Sequence, residues 1–174
     1  TNENLGWAHT VNFCDRLDEF QLEMNSDNAM QYKFDGAWVD LEVKTIKLKI
    51  KGIPINVKRK IYWSKYGATM KNEQGFFSMR LGANMKIAVL DQWYQMNKAK
   101  NFTEFYAALN RQELSMFNTM YADRYDTIFY INNALMPVRD ASANYNWKKT
   151  VPGNTSKTLW TQFRPEKDLP QYIN

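Results

Sequence analysis

The sequence predicts an α+β fold of mostly antiparallel strands that flank a central helical segment. Three observations predict it. Residues from about 6 to 81 alternate apolar and polar side chains, residues from about 83 to 113 repeat apolar side chains at helical spacing, and residues from about 117 to 174 return to strands before an irregular tail. Strands, then helices, then strands is the order typical of the α+β class. We expect residues 1–174 to form a single segment that is long enough to bury a core.

The first part of the chain predicts strands joined by tight turns. "FQLEM" alternates, which places Phe20, Leu22 and Met24 on one face. "YKFDGAWV" predicts a hairpin, because Asp35-Gly36 supplies the positive φ angles of a type I′ turn. The apolar phase of "LEVKTIKLKI" changes near Thr45-Ile46, which predicts a β-bulge there.

The central part predicts helices. Its first, mostly apolar stripe repeats at helical spacing and consists of Ile87, Leu90, Trp93 or Tyr94, and Asn97. "NFTEFYAAL" carries Asn101 and Glu104 in the positions of a capping box, so a helix is expected to begin there. The aromatic residues of that helix, Phe102, Phe105 and Tyr106, are interpreted as core.

The last part predicts two strands, "FNTMYAD" and "TIFYINN", followed by irregular chain after Pro137. A long irregular tail is unusual in an isolated domain. We therefore expect this tail to lie against other structure.

Composition excludes several classes of protein. The net charge is +5, but the lysines alternate along strand-like segments, as they do on solvated strand faces, so no nucleic-acid partner is expected. No apolar run is long enough to span a membrane, no membrane partner is expected, and the chain shows no signal peptide. One cysteine and one histidine exclude an internal disulfide, a multi-cysteine zinc site and a histidine-rich metal site.

Three motifs in order carry a family resemblance. They are "LGWAHTVNFCDRLDEF", "FNTMYADRYDTIFYINNALMPVRD" and "VPGNTSKTLWTQFRPEKDLPQYIN", and "IYWSKYGATM", "SMRLGAN" and "LDQWYQMNKAKNFTEFYAAL" lie between them. Together they resemble the penicillin acylase (penicillin amidase) family of N-terminal nucleophile hydrolases. Within this family, "WAHTV" most resembles the branch that includes acyl-homoserine lactone acylases.

The resemblance implies a segment of the β subunit of an amidohydrolase that acts on carbon–nitrogen bonds in linear amides, other than peptide bonds. A serine exposed by self-cleavage attacks the amide, and its own α-amino group acts as base. That serine is expected upstream of this chain and an oxyanion-hole asparagine downstream, so the chain alone is expected to be inactive. The alternative nucleophile is Thr1 itself, since an N-terminal threonine is a known nucleophile type.

The resemblance also implies the partners and surroundings of the parent protein. The expected partners are the rest of the β subunit, the α subunit of the processed heterodimer, and a small N-acyl substrate such as a penicillin or an acyl-homoserine lactone. No cofactor is required beyond a structural calcium ion in some members. The expected location is the periplasm or the cell exterior.

The resemblance assigns roles near the start of the chain. Val11 matches the position whose backbone N–H forms half of the oxyanion hole, and its alternative is an ordinary buried strand valine. His9 and Thr10 match substrate-pocket positions. The alternative for His9 is a hydrogen-bonded structural histidine, since the α-amino group is the base in this class.

A calcium site is implied for the intact enzyme. Asp15, Asp18 and the carbonyl of Leu17 match positions that bind calcium in some members, and the alternative is that both carboxylates pair with the neighbouring Arg16 or with solvent. Cys14 is interpreted as an inert buried thiol. A last set of family positions is interpreted as structural: Asn118, Asp123 as a turn or charge partner, and Arg139 as an anchor of the irregular tail.

A second class of function stays open. The chain is basic and α+β, which also suits a non-catalytic binding or structural module. A coding sequence with Gly-Ser upstream and an asparagine-rich stretch downstream would favour the amidohydrolase.

Overall fold

A computed structural model describes residues 1–114 and 116–174. Its helices are α1 (Val89–Lys98) and α2 (Phe102–Leu109). Its strands are β1 (Leu5–Val11), β2 (Leu17–Gln21), β3 (Gln31–Phe34), β4 (Ala37–Asp40), β5 (Glu42–Lys49), β6 (Asn56–Ser64), β7 (Gly67–Asn72), β8 (Gly75–Leu81), β9 (Met116–Asp123), β10 (Ile128–Ala134), β11 (Val151–Pro152) and β12 (Gln171–Ile173).

The predicted α+β class is confirmed. Strands β1, β9, β10 and β12 pair antiparallel in that order, and β11 pairs parallel with β2. The chain forms two compact units, one of residues 1–16, 81–138 and 161–174, the other of residues 17–80 and 139–160. That residues 1–174 act as a single domain segment stays a prediction.

The first unit is a four-stranded sheet packed with both helices. The buried core includes Leu5 from β1, Met96 from α1, Phe105 from α2 and Tyr121 from β9. Phe102 and Tyr106 pack against this core, so the predicted aromatic core of α2 is confirmed. Asn101 caps α2 by accepting the N–H of Glu104 at 3.0 Å, as the capping-box pattern predicts.

The second unit is a six-stranded sheet in the order β11-β2-β8-β7-β6-β5, with the β3–β4 hairpin beside it. Phe20 and Leu22 are buried, as the alternation in "FQLEM" predicts. Asp35 and Gly36 have φ angles of 48° and 83°, which supports the predicted I′ turn. Tyr66 lies in this core and its hydroxyl donates to the carbonyl of Thr155 at 2.7 Å, so the irregular chain after residue 139 is tied to the sheet.

The predicted bulge at Thr45-Ile46 is wrong. Strands β5 and β6 keep one unbroken antiparallel register, from Glu42 opposite Trp63 to Lys49 opposite Asn56. The apolar phase changes without a bulge because nearly every side chain of β5 is solvent-exposed in this chain. A strand that buries neither face is under no pressure to keep one face apolar.

The apolar stripe of α1 is not its buried face. Ile87 before the helix and Leu90 and Tyr94 within it are exposed, whereas Gln92 and Met96 are fully buried. Gln92 fits in the core because both its nitrogen and its oxygen are hydrogen-bonded: it donates to the carbonyl of Leu109 at 3.1 Å and accepts from the N–H groups of Glu113 (2.7 Å) and Leu114 (3.0 Å). The inner face of α1 is therefore defined by Gln92, a polar residue that is hydrogen-bonded to the chain that follows α2.

Candidate active-site segment

Strand β1 lies at one edge of the four-stranded sheet, with β9 on its only paired side among the described residues. The N–H of Arg124 donates to the carbonyl of Asn4 at 3.0 Å, and the N–H of Asn12 donates to the carbonyl of Met116 at 3.5 Å. Hydrogen-bonded and non-hydrogen-bonded pairs alternate along an antiparallel ladder. Val11, opposite Phe117, is therefore in a non-hydrogen-bonded pair, and its N–H points off the open edge of the sheet.

The environment of Val11 differs from that of a core valine. Its side chain is 55% exposed in this chain. A backbone N–H at an open edge can donate a hydrogen bond to a developing oxyanion, and no hydrogen bond between strands has to break for it to do so. The geometry is thus compatible with the donor role that the family resemblance assigns to Val11.

His9 is held among aromatic rings. Its ring stacks on Phe117 with centroids 5.0 Å apart and lies 4.8 Å from Trp7 and 6.4 Å from Trp93. Burial lowers the pKa of His9, although its hydrogen bond with the backbone of Asn118 raises it. A neutral, hydrogen-bonded imidazole agrees with the alternative interpretation of His9 as a structural histidine.

Thr10 faces the opposite side of the sheet from His9, as neighbours on a strand must. Its hydroxyl accepts from the side-chain amide of Asn118 at 3.0 Å, and Asn118 accepts from the hydroxyl of Tyr130 at 3.0 Å. The structure therefore does not bring the side chains of His9 and Thr10 together on one face. Their assignment to a substrate pocket stays a prediction.

Asp18 is the most deeply buried of the candidate residues, at 2% exposure. Arg139 holds its carboxylate with two hydrogen bonds, Nε to Oδ2 at 2.9 Å and a terminal guanidinium nitrogen to Oδ1 at 3.0 Å. The indole N–H of Trp160 donates to Oδ2 at 2.7 Å. The guanidinium also lies 5.5 Å from the ring of Trp147. Arg139 thus connects β2 with the irregular chain around it, in keeping with its interpretation as an anchor.

The described residues do not complete a calcium shell. At least three hydrogen bonds already use the carboxylate of Asp18, and Asp15 is exposed. Calcium needs about 6–8 oxygen ligands, and residues 1–114 and 116–174 contain no group of three or more acidic, histidine or cysteine side chains that could hold a metal ion. The calcium site of Asp15, Leu17 and Asp18 therefore stays a prediction for a longer polypeptide.

Two other predicted positions have clear partners. Asp123 closes the turn after β9, where its carboxylate accepts the N–H groups of Tyr125 (2.8 Å) and Thr127 (3.0 Å) and the hydroxyl of Tyr121 (2.7 Å). Burial raises the pKa of Asp123, but these hydrogen bonds outweigh it and hold the pKa below its ordinary value. Cys14 is half-buried and its thiol donates to the side-chain carbonyl of Asn132 at 3.2 Å.

Sequence reasoning missed a buried acid in the first unit. Glu166 is almost fully buried and lies near Tyr106, whose hydroxyl donates to the side-chain carbonyl of Gln171 at 3.4 Å. Burial raises the pKa of the Glu166 carboxyl, and burial together with this carboxyl raises the pKa of Tyr106 to about 12. No signal around "RPEKDLP" indicates burial, because the partner lies on a helix 60 residues earlier.

The positive charge is concentrated in the β5–β6 hairpin, residues 42–64. This hairpin contains seven lysine and arginine residues and one glutamate, whereas the whole chain has a net charge of +5. One of its faces carries Lys47, Lys49, Lys58 and Lys60, and the other carries Ile46, Leu48, Val57 and Arg59. The basic character of the chain is thus a property of this hairpin and does not extend over the rest of the sequence.

Three similar proteins are each longer than this chain. Acyl-homoserine lactone acylase PvdQ of Pseudomonas syringae pv. tomato is 29% identical over 152 residues, which are 80% of this chain and 20% of that protein. The same-named protein of Pseudomonas putida is 26% identical over 151 residues, 80% of this chain and 19% of that protein. The structure of a thermostable penicillin G acylase from Alcaligenes faecalis covers 100% of this chain with a TM-score of 0.85 and 25% identity, and the chain covers 31% of it.

The fold is thus that of a segment of an N-terminal nucleophile hydrolase. The family model for penicillin amidase matches residues 1–174, so this chain belongs to the penicillin amidase family. The chain spans about a fifth of the length of the curated relatives that it matches.

Proposed function

We propose that this chain is part of the β subunit of an amidohydrolase that cleaves N-acyl compounds, such as penicillins or acyl-homoserine lactones. The observation that carries the proposal is the backbone of Val11, which directs its N–H off the open edge of β1. In the proposed mechanism a serine outside this chain attacks the amide carbonyl, and Val11 donates one hydrogen bond to the oxyanion of the tetrahedral intermediate. Collapse of this intermediate expels the amine and leaves an acyl-enzyme, which water then hydrolyses.

The proposal includes partners and a location. The rest of the β subunit and an α subunit would complete the site, and the parent protein would work in the periplasm or outside the cell. No helix among the described residues is long and apolar enough to cross a membrane. The names of the relatives, an acyl-homoserine lactone acylase and a penicillin G acylase, support an N-acyl substrate.

Residues 1–174 alone are expected to hydrolyse neither phenylacetyl amides, penicillins nor acyl-homoserine lactones, because the proposed nucleophile and asparagine are not among them. The full-length protein is expected to hydrolyse at least one of these substrates. The measurement is product release by both proteins, with Thr1→Ala as the control variant. Turnover by residues 1–174 that is lost in Thr1→Ala would contradict the proposal and make Thr1 the nucleophile.

The alternative function, a basic binding module, is supported by the charge of the β5–β6 hairpin. It predicts that the full-length protein lacks amidase activity on all three substrate classes. In that case the basic face of the hairpin would carry the function, and replacing its four lysines by glutamine would abolish partner binding without unfolding the chain.

Calcium is expected to stabilise the full-length protein but not residues 1–174. A partial shell binds calcium weakly, and stabilisation follows RT ln(1 + [L]/Kd), which is small when Kd is high. The measurement is the melting temperature with millimolar calcium and with chelator. Asp18→Asn is expected to reduce the shift in the full-length protein. An identical melting temperature of the full-length protein under both conditions would remove calcium from the proposal.

A further inference from the structure

Both ring nitrogens of His9 have defined partners. Nε2 lies 3.2 Å from the indole Nε1 of Trp93, and Nδ1 lies 3.1 Å from the hydroxyl of Thr119 and 3.4 Å from the carbonyl of Asn118. An indole N–H can only donate a hydrogen bond, so Nε2 must be an unprotonated acceptor. The geometry therefore selects the neutral imidazole with its proton on Nδ1.

The hydrogen bonds around His9 run in one direction. Trp93 of α1 donates to His9 of β1, and the Nδ1–H of His9 donates to Thr119 of β9. The hydroxyl of Thr119 donates in turn to the carbonyl of Phe117 at 3.5 Å. Thr119 is the register partner of His9 and Phe117 is the register partner of Val11. The series thus ends at the residue opposite the proposed oxyanion donor.

The charged groups on the elements around His9 are engaged elsewhere. On α1, Asp91 pairs with Arg111 at 2.6 Å and Lys98 lies over the ring of Tyr94. On α2, Glu104 caps the helix start, and on β9, Asp123 closes the turn after the strand. The imidazole itself contacts the aromatic rings of Trp7, Trp93 and Phe117. Its protonation state is therefore governed by burial, by the backbone carbonyl of Asn118 and by the donor of Trp93.

We infer that His9 is a positioning residue for the backbone donor at Val11, and that it acts as the neutral Nδ1–H tautomer that joins α1 to the end of β1. This inference rests on the function proposed for Val11. Protonation of Nε2 would set an N–H against the N–H of Trp93, so the bond between α1 and β1 would be lost in acid. The amide of Val11, two residues along the strand, would then change its surroundings.

The first test is NMR spectroscopy of the full-length protein, labelled with ¹⁵N in histidine, tryptophan and valine. The signals of His9, Trp93 and Val11 are assigned by their loss or shift in His9→Gln, Trp93→Phe and Val11→Ala. At neutral pH the expected result is a protonated Nδ1 and an unprotonated Nε2 for His9. On acidification the indole N–H of Trp93 and the amide of Val11 are expected to shift with the same midpoint as His9.

The variants separate positioning from mere packing. Trp93→Phe removes the donor but keeps an aromatic ring, so the titration midpoint of His9 is expected to rise. His9→Gln keeps an amide oxygen that can accept from Trp93 but does not titrate, so the acid shift of the Val11 amide is expected to disappear. A proton on Nε2 at neutral pH, or an unchanged midpoint in Trp93→Phe, would overturn the tautomer assignment. If the chemical shift of the Val11 amide does not change as His9 titrates, the positioning role is overturned.

Kinetics provide an independent measurement. His9→Ala is expected to lower kcat about tenfold with little change in KM, as expected when one hydrogen bond that orients a transition-state donor is lost. His9→Gln is expected to restore most of that loss, whereas His9→Leu, which fills similar space but offers no acceptor to Trp93, is not; equal activity of these two variants would indicate a merely space-filling role. The NMR results stand even if Val11 proves not to be the oxyanion donor, so the failure of the two proposals can be distinguished.

The neutral state of His9 also determines how the free energy of unfolding changes with pH. The folded state holds the pKa of His9 below its ordinary value of 6.5, so below about pH 6.5 the unfolded chain binds more protons than the folded chain. The contribution of His9 to the free energy of unfolding is therefore present above pH 6.5 and is lost as the pH falls through the folded pKa. His9→Gln is expected to flatten this part of the stability profile, measured by urea unfolding between neutral and mildly acidic pH.

Discussion

Val11→Pro in the full-length enzyme is expected to lower kcat by about 100- to 1000-fold, the usual effect of removing one oxyanion-hole donor. Proline lacks the N–H group, and the N–H of Val11 points away from β9. The substitution therefore removes the proposed donor without removing a bond of the β1–β9 ladder. KM is expected to change little, because the hydrogen bond forms fully only in the transition state.

Two companion variants separate the donor from the side chain. Val11→Ala keeps the N–H and is expected to cost far less activity. Replacement of Val11 by its α-hydroxy acid keeps the side chain but turns the amide into an ester, so it should be as damaging as Val11→Pro. Circular dichroism checks that each variant folds. Equal damage in Val11→Ala and Val11→Pro would identify Val11 as a packing residue and would contradict the proposed donor.

The strands and the start of α2 could be predicted because their signals are local. Alternation in "FQLEM", the Asp35-Gly36 turn and the Asn101 cap each depend on residues a few positions apart, and each is present in the structure. The β5 bulge was wrong for a related reason. A phase change indicates a bulge only where one face is buried, and burial is not a local property of the sequence.

The partners that define the site could not be predicted, because they lie far apart in the chain. His9 meets Trp93 and Thr119 only after β1 pairs with a strand more than 100 residues later. The N–H direction of Val11 depends on the parity of that pairing, which no local pattern encodes. The family resemblance supplied the candidate role for Val11, and the register supplied a physical reason why a backbone donor is available there.

Asp18 shows how a local signal can point to burial without revealing the partner. It is in phase with Phe20 and Leu22, so the alternation that places those residues inside places this carboxylate inside as well. A buried carboxylate requires a donor. The donor, Arg139, lies 121 residues away, so its identity could come only from the fold.

Arg139→Leu is expected to lower the free energy of unfolding of this chain by roughly 3–5 kcal/mol, the usual effect of removing one partner from a buried ion pair. The variant deprives the buried carboxylate of Asp18 of its two-point guanidinium contact. Arg139→Lys is expected to give an intermediate loss, because an ammonium group cannot match both carboxylate oxygens. The measurement is urea unfolding followed by tryptophan fluorescence.

The matched control is an exposed ion pair in the same unit, Lys33 with Glu23 at 3.0 Å. Lys33→Met is expected to cost about 0–1 kcal/mol, since exposed ion pairs contribute little. The double variant Asp18→Asn with Arg139→Leu is expected to be more stable than Arg139→Leu alone, because the amide removes the buried charge but still offers an oxygen to the indole of Trp160. If Arg139→Leu costs no more than Lys33→Met, the carboxylate of Asp18 is stabilised by other groups and Arg139 does not anchor the irregular chain.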